Sequence, residues 1–105
     1  MYDHSFAVMV YGDSPFLVEC LDSLVLQTVK SHIYIATSTP SDYISGIANR
    51  YHIEIFVNKD QHGIAHDWNF SMSKCTTGFV TLAHQDDVYL PNYTEKCLNN
   101  FKEVR

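Results

Sequence analysis

Apolar and polar positions follow two different periods along this chain. Four short segments are rich in apolar residues, and the first of them, 6–11, is a continuous apolar run, as in strands that are buried on both faces. Between and after them, apolar residues recur at the three- and four-residue spacing of amphipathic helices. The predicted strands are 6–11, 33–36, 53–57 and 78–82. The predicted helices are 15–27, 41–50 and 63–73, with a last helix that begins at Pro91.

The first helix has a start signal, because Ser14 offers an N-cap and Pro15 suits the first helical position. Strand and helix alternate through the whole chain. This order predicts a Rossmann-like, three-layer α/β/α fold with a mainly parallel sheet and right-handed crossovers. We predict the strand order 3-2-1-4, with helices on both faces of the sheet, in a single domain spanning residues 1–105.

Composition narrows the class of protein. The chain has 105 residues, of which 46% are hydrophobic and 18% charged, as in ordinary globular domains. A net charge of -5 argues against a nucleic-acid binder, which needs a basic face. No apolar run has the length of a membrane span, and the N-terminus does not resemble a signal peptide. Three widely spaced cysteines indicate reduced thiols and a cytoplasmic protein.

Polar and small residues concentrate after the predicted strands. In parallel sheets, ligands bind beyond the carboxyl ends of the strands, so these four loops converge on one edge. The loops are 11–14, 37–42, 58–63 and 84–89. The chain has neither the GxGxxG pattern of dinucleotide-binding folds nor the phosphate-binding loop of NTPases.

The most informative loop contains Asp86 and Asp87, directly after the last apolar run. Two adjacent carboxylates there must be solvated, paired or bound to a cation, because burying an isolated charge is costly. An acidic turn is the simpler interpretation, since Asp favours turns. The alternative is a hard divalent metal, Mg²⁺ or Mn²⁺, held against a phosphate by Asp87 and Asp86.

Four motifs in order carry a resemblance to a known family. The first is Tyr11 at a strand end, and the second is the helix segment 17–28, LVECLDSLVLQT. The third combines Asn58, Gly63 and Asn69, and the fourth is the acidic segment 84–87, HQDD. Together they resemble the N-terminal, donor-binding half of a family 2 glycosyltransferase with the GT-A fold.

The resemblance implies binding of a nucleoside-diphosphate sugar through a divalent metal. Asp87 would be the direct metal ligand, with Asp86 contacting the metal or the ribose, and Tyr11 would line the nucleoside pocket. Thr37 and Asn69 would contact the base and the sugar. The sugar would pass with inversion to an acceptor hydroxyl on a glycan or lipid-linked glycan, in bacterial surface polysaccharide synthesis at the inner face of the membrane.

Two departures from the family pattern bear on specificity. The family's second strand ends in Asp-Asp-Gly-Ser, where an Asp contacts the base, whereas this chain has Ala36 to Thr39. The first acidic position of the metal motif is His84. The resemblance also implies that the acceptor-binding half and the general base lie beyond Arg105. We therefore expect the chain to be inactive alone, with an exposed sheet edge that favours self-association.

Other interpretations stay open at this point. One is a non-catalytic nucleotide-binding or regulatory α/β module with a flavodoxin-like or receiver-like sheet. His62 and His66 have a spacing that two zinc ligands on a helix could use. Trp68 is expected to be a core anchor of the third helix, and Asp67 a solvated helix charge.

Overall fold

Four strands and four helices alternate along the chain in the computed structural model, which describes residues 2–59 and 64–103. The strands are β1 (His4–Val10), β2 (His32–Thr37), β3 (Glu54–Val57) and β4 (Phe79–His84). The helices are α1 (Leu17–Val25), α2 (Asp42–Tyr51), α3 (Ile64–Ser73) and α4 (Tyr93–Glu103).

The strands form one parallel sheet in the order β3-β2-β1-β4, which confirms the predicted topology. Val10 pairs with Thr37 of β2, and Met9 pairs with His84 of β4. This register brings the loops after β1, β2 and β4 to one edge of the sheet. The strand order changes direction between β1 and β4, and ligands commonly bind at such a position in open sheets.

Helices cover both faces of the sheet, as predicted. On one face, alternate residues of β1 pack against α1 and α2 in the main core. That core includes Phe6, Val8, Leu21 and Ile44, all fully buried. On the other face α3 contacts β1, β2 and β4, and the Tyr34 hydroxyl donates to the Ser71 carbonyl at 2.6 Å.

The first helix begins later than its start signal predicts. Ser14 was expected to be its N-cap, but the hydroxyl accepts from the Phe16 backbone N–H at 3.2 Å within a turn that precedes the helix. Helix α1 begins at Leu17. The second helix has a true N-cap, because the Ser41 hydroxyl accepts from the Ile44 N–H at 3.2 Å.

The end of α1 is tied to the segment between β4 and α4. Gln27 is almost fully buried, and its amide donates to the Leu90 carbonyl at 2.6 Å and accepts from the Thr94 N–H at 2.9 Å. The Ser23 hydroxyl accepts from the Tyr89 N–H at 3.1 Å. These bonds hold in place the loop that follows the acidic segment.

Candidate functional site

Tyr11 stands at the carboxyl end of β1 and is held by its own backbone. Its N–H donates to Gln85 Oε1 at 3.2 Å, and its carbonyl accepts from Gln85 Nε2 at 3.0 Å. The Gln85 amide thus pairs with the Tyr11 backbone N–H and carbonyl, as the backbone of a residue on a neighbouring strand would. Gly12 follows with a φ of 62°, a conformation that favours glycine, and its N–H donates to the Thr39 hydroxyl at 2.8 Å.

Asp86 and Asp87 lie next to that contact, in the turn that follows β4. The Asp87 N–H donates to the His84 carbonyl at 3.0 Å, which closes the turn. Both carboxylates are exposed to solvent. Within residues 2–59 and 64–103, neither has a hydrogen-bond or ion-pair partner for its side chain. The pair is therefore solvated and available to a cation.

The carboxylates influence the groups beneath them. Burial, and then the charges of Asp87 and Asp86, raise the pKa of the Cys20 thiol to about 12. Burial and the Asp87 charge likewise raise the pKa of Tyr89 to about 12. Cys20 is fully buried, and its thiol donates to the His84 carbonyl at 3.4 Å. It is therefore an unreactive packing residue.

A buried carboxylate lies on the α3 side of Tyr11. Asp67 is 9% exposed, and its Oδ2 accepts from the Tyr11 hydroxyl at 2.6 Å. Asp67 Oδ1 accepts from the Asn58 amide at 3.1 Å. The expectation that Asp67 is a solvated helix charge is therefore wrong. Burial is the largest cause, ahead of the hydrogen bond and charge of Asp67, of a rise in the pKa of Tyr11 to about 12.

Thr37 lies beside this cluster, but its hydroxyl is already engaged. It is almost fully buried, donates to the Val10 carbonyl at 2.6 Å and accepts from the Thr39 N–H at 3.0 Å. Its backbone carbonyl accepts from the Asn58 N–H at 2.9 Å. Thr37 therefore shapes the strand ends, and its role as a base contact stays a prediction.

Asn69 and Trp68 lie on the outer surface of α3. Asn69 is exposed and stands two residues beyond Asp67, about 200° around the helix. The structure does not bring Asn69 to the hydrogen-bonded group of Tyr11, Asp67 and Asn58, and its role as a sugar contact stays a prediction. Trp68 is 44% exposed, so the expectation of a core anchor is wrong. His62 and Gly63 lie outside the described residues.

The acidic pair suits a divalent metal that a substrate helps to bind. Within the described part of the chain, no three His, Cys, Asp or Glu side chains are grouped as a metal site. Mg²⁺ is typically held by one or two carboxylates together with water and substrate phosphates, rather than by a complete protein cage. The two solvent-exposed aspartates fit that mode of binding.

These features fit one family of enzymes. Residues 5–105 match the family described as Glycosyl transferase family 2. The chain belongs to this family. No curated protein sequence matches the chain. Tyr11 and the acidic pair lie at one edge of the sheet in this family 2 domain, joined by Gln85.

Solved structures agree on the fold of this family 2 domain. A crystal structure of residues 1–349 of S. aureus TarS has 17% identity and a TM-score of 0.84, over 98% of this chain and 33% of that one. The same TarS region in complex with UDP gives 17% identity and 0.83, over 98% and 32%. The chain thus spans about a third of those structures.

The helices of this family 2 domain are short. Across residues 2–59 and 64–103, none has the length and apolar character that crossing a membrane requires.

Proposed function

We propose that this chain binds the donor of a glycosyltransferase, a nucleoside-diphosphate sugar, through a divalent cation. The observation that carries the proposal is the placement of Asp86 and Asp87, exposed and unpaired among the described residues, beside Tyr11 at the carboxyl edge of the sheet. Family membership supplies the reaction class, sugar transfer. The TarS complex makes UDP the first nucleotide to test.

Each residue has a distinct part in this proposal. Asp87, with Asp86, would hold Mg²⁺ or Mn²⁺ against the diphosphate. The cation would offset the negative charge that grows on the departing diphosphate. The Tyr11 ring, 42% exposed, offers a face on which a base can stack.

The remaining parts of the reaction are also proposals. Transfer to a hydroxyl of a glycan or lipid-linked glycan, with inversion, needs a general base that we expect outside this chain. Bacterial surface polysaccharide synthesis in the cytoplasm, at the inner face of the membrane, is the setting that the resemblance implies. The two TarS structures are about three times as long as this chain.

The test is calorimetric titration of the chain with UDP, in the presence and absence of Mn²⁺. We expect Mn²⁺-dependent binding that Asp87→Ala abolishes, because Asp87 is the direct metal ligand in this proposal. The matched control is Glu54→Ala. Glu54 is an exposed carboxylate at the start of β3, at the opposite end of the sheet from the site.

Glu54→Ala should leave the affinity for UDP unchanged. The proposal is wrong if the wild-type chain binds no nucleoside diphosphate with Mn²⁺ present. The metal assignment alone is wrong if Asp87→Ala binds UDP with the Mn²⁺ dependence of the wild type. Thermal unfolding of each variant shows whether a loss of binding reflects a loss of fold.

A further inference from the structure

Side chains from other parts of the chain hold both the backbone and the hydroxyl of Tyr11. Gln85 holds its backbone through two hydrogen bonds. Its hydroxyl, at the far end of the ring, donates to Asp67 of α3 at 2.6 Å. With the backbone and the hydroxyl both held, the ring has one orientation although 42% of the side chain is exposed.

Asp67 is itself held in place by two further hydrogen bonds. Its Oδ1 accepts from the Asn58 amide at 3.1 Å, and its backbone carbonyl accepts from the Ser71 hydroxyl at 2.7 Å. Asp67 also lines a narrow space beside Tyr11, together with Met9 and Phe70, that is too small to hold a water molecule. Removing water from a carboxylate that is only 9% exposed costs free energy, and hydrogen bonds from neutral donors offset only part of it.

This carboxylate joins helix α3 to the carboxyl edge of the sheet. Asp67 and Ser71 turn polar groups of α3 toward the sheet, and an apolar side chain in place of Asp67 would leave the Tyr11 hydroxyl and the Asn58 amide without this acceptor. The bond from the hydroxyl of Tyr11, an exposed aromatic residue at the site edge, is short and charge-assisted.

We propose that Asp67 is a positioning residue for nucleoside recognition: it fixes the Tyr11 ring as a stacking face for the base without touching the nucleotide. This inference rests on the proposed function. An aromatic ring that is already immobile loses less conformational entropy when a base stacks on it. Base recognition in this chain therefore depends on α3, since the Thr37 hydroxyl at the end of β2 already donates its hydrogen bond to the Val10 carbonyl.

The high pKa of Tyr11 is consistent with this role. Because burial and Asp67 raise that pKa to about 12, the phenol keeps its proton throughout the physiological range and remains the donor. The hydrogen bond therefore does not change with pH around neutrality.

The test compares two ligands that share a diphosphate and differ in the base. UDP and inorganic pyrophosphate are titrated, each with Mn²⁺, into the wild-type chain and into Asp67→Ala, Asp67→Asn, Tyr11→Phe and the Asp67→Ala/Tyr11→Phe double variant. Immobilising a side chain on binding typically weakens affinity by about two- to tenfold. We expect Asp67→Ala and Tyr11→Phe each to weaken UDP binding by about that factor and to leave pyrophosphate binding unchanged.

Two further results separate positioning from packing. The double variant should bind UDP like either single variant, because both substitutions remove the same hydrogen bond. Asp67→Asn should weaken UDP binding less than Asp67→Ala does, since its one amide oxygen can still accept from the Tyr11 hydroxyl, although it can no longer also accept from the Asn58 amide. If Asp67→Ala does not fold, Tyr11→Phe and Asp67→Asn carry the test, because both preserve the shape of the packed residues.

The outcomes distinguish the two proposals. A wild-type chain that binds no nucleoside diphosphate contradicts the proposed function. A wild-type chain that binds UDP, with folded variants that bind it equally well, contradicts the role of Asp67. An equal loss of UDP and pyrophosphate affinity also contradicts it, because a change at the base should not affect a ligand that has none.

Discussion

His4 is a titratable side chain buried at the start of β1. It is 2% exposed, and its ring nitrogens form hydrogen bonds with Ser31 at 2.9 Å and Thr81 at 2.7 Å. The ring also packs edge-on against Phe6 at 4.7 Å. Burial lowers the pKa of His4 below its usual 6.5, so the native protein holds this ring in its neutral form.

This makes the stability of the fold depend on pH. The unfolded chain takes up a proton at His4 near pH 6.5, whereas the native chain does so only at a lower pH. Stability from His4 is therefore complete above about pH 6.5 and is lost as the pH falls toward the native pKa. The loss is at most ~1.4 kcal/mol of unfolding free energy per pH unit.

Urea unfolding of the wild type and His4→Gln between about pH 7 and pH 5 tests this expectation. His4→Gln should lower the free energy of unfolding at neutral pH. It should also flatten the dependence of that free energy on pH, by an amount equal to the uptake of up to one proton on unfolding. The control is His66→Gln, at an exposed position of α3, which should leave the slope unchanged. A slope that is the same in His4→Gln and in the wild type would show that another group causes the pH dependence.

At the scale of elements, the contact of α1 with α4 depends on one buried amide. Gln27 uses both its donor and its acceptor, so either half is costly to lose. The Thr28 N–H donates to the Pro91 carbonyl at 2.8 Å and supports the same contact. Through it, helix α1 fixes the start of the helix that follows the acidic segment.

Gln27→Glu keeps the shape of the side chain and removes its donor. An ionised carboxylate would then face the Leu90 and Ser23 carbonyl groups, which the wild-type amide satisfies. We expect a loss of about 1–3 kcal/mol in the free energy of unfolding, measured by urea titration. Asn99→Asp makes the same amide-to-acid change at an exposed position of α4 and should stay within ~0.5 kcal/mol of the wild type. Equal effects of the two substitutions would mean that added charge matters more than the buried contact.

The sequence predicts these elements well where burial alone decides the pattern. The strands appear as apolar-rich segments, most clearly β1, which is buried along its whole length, and the strand order follows from the handedness of the crossovers. The predicted start of α1 was wrong because Ser14 and Pro15 form a turn, and turns favour the same residue types as the start of a helix.

Helix α3 shows why part of the site could not be predicted. An aromatic residue is usually buried and a carboxylate usually exposed, yet Trp68 is exposed and Asp67 is buried. The reversal depends on a hydrogen bond to Tyr11, 56 positions away in sequence, which no local pattern contains. The spacing of Asp67 and Ser71, four residues apart with both facing the sheet, is the one local signal that could have indicated it.

At the scale of the whole molecule, the sheet has strands that pair on one side only. Among the described residues, β3 and β4 each have a single neighbouring strand. Four residues of β4, 79–82, are half-buried rather than covered. An unpaired edge of this kind offers backbone donors and acceptors to another chain.

We therefore expect the 105-residue chain to self-associate as its concentration rises. Sedimentation velocity over a wide concentration range would measure this, and Val80→Lys on β4 should shift the population toward monomer because a charged edge strand resists pairing. Leu26→Lys is the control, since Leu26 is 68% exposed at the end of α1 and off the edge strand. A wild type that stays monomeric throughout would contradict the prediction, and a stronger effect of Leu26→Lys would place the contact on the helices.

The amide of Gln85 has one more consequence, for the cost and speed of binding. Because the Gln85 side chain joins Tyr11 to the residue next to Asp86, two hydrogen bonds hold Tyr11 beside the acidic turn before any ligand binds. The two halves of the edge are preorganised, so a ligand that spans them orders little of the protein when it binds. Its association should then be limited by diffusion and orientation rather than by a rearrangement of the chain.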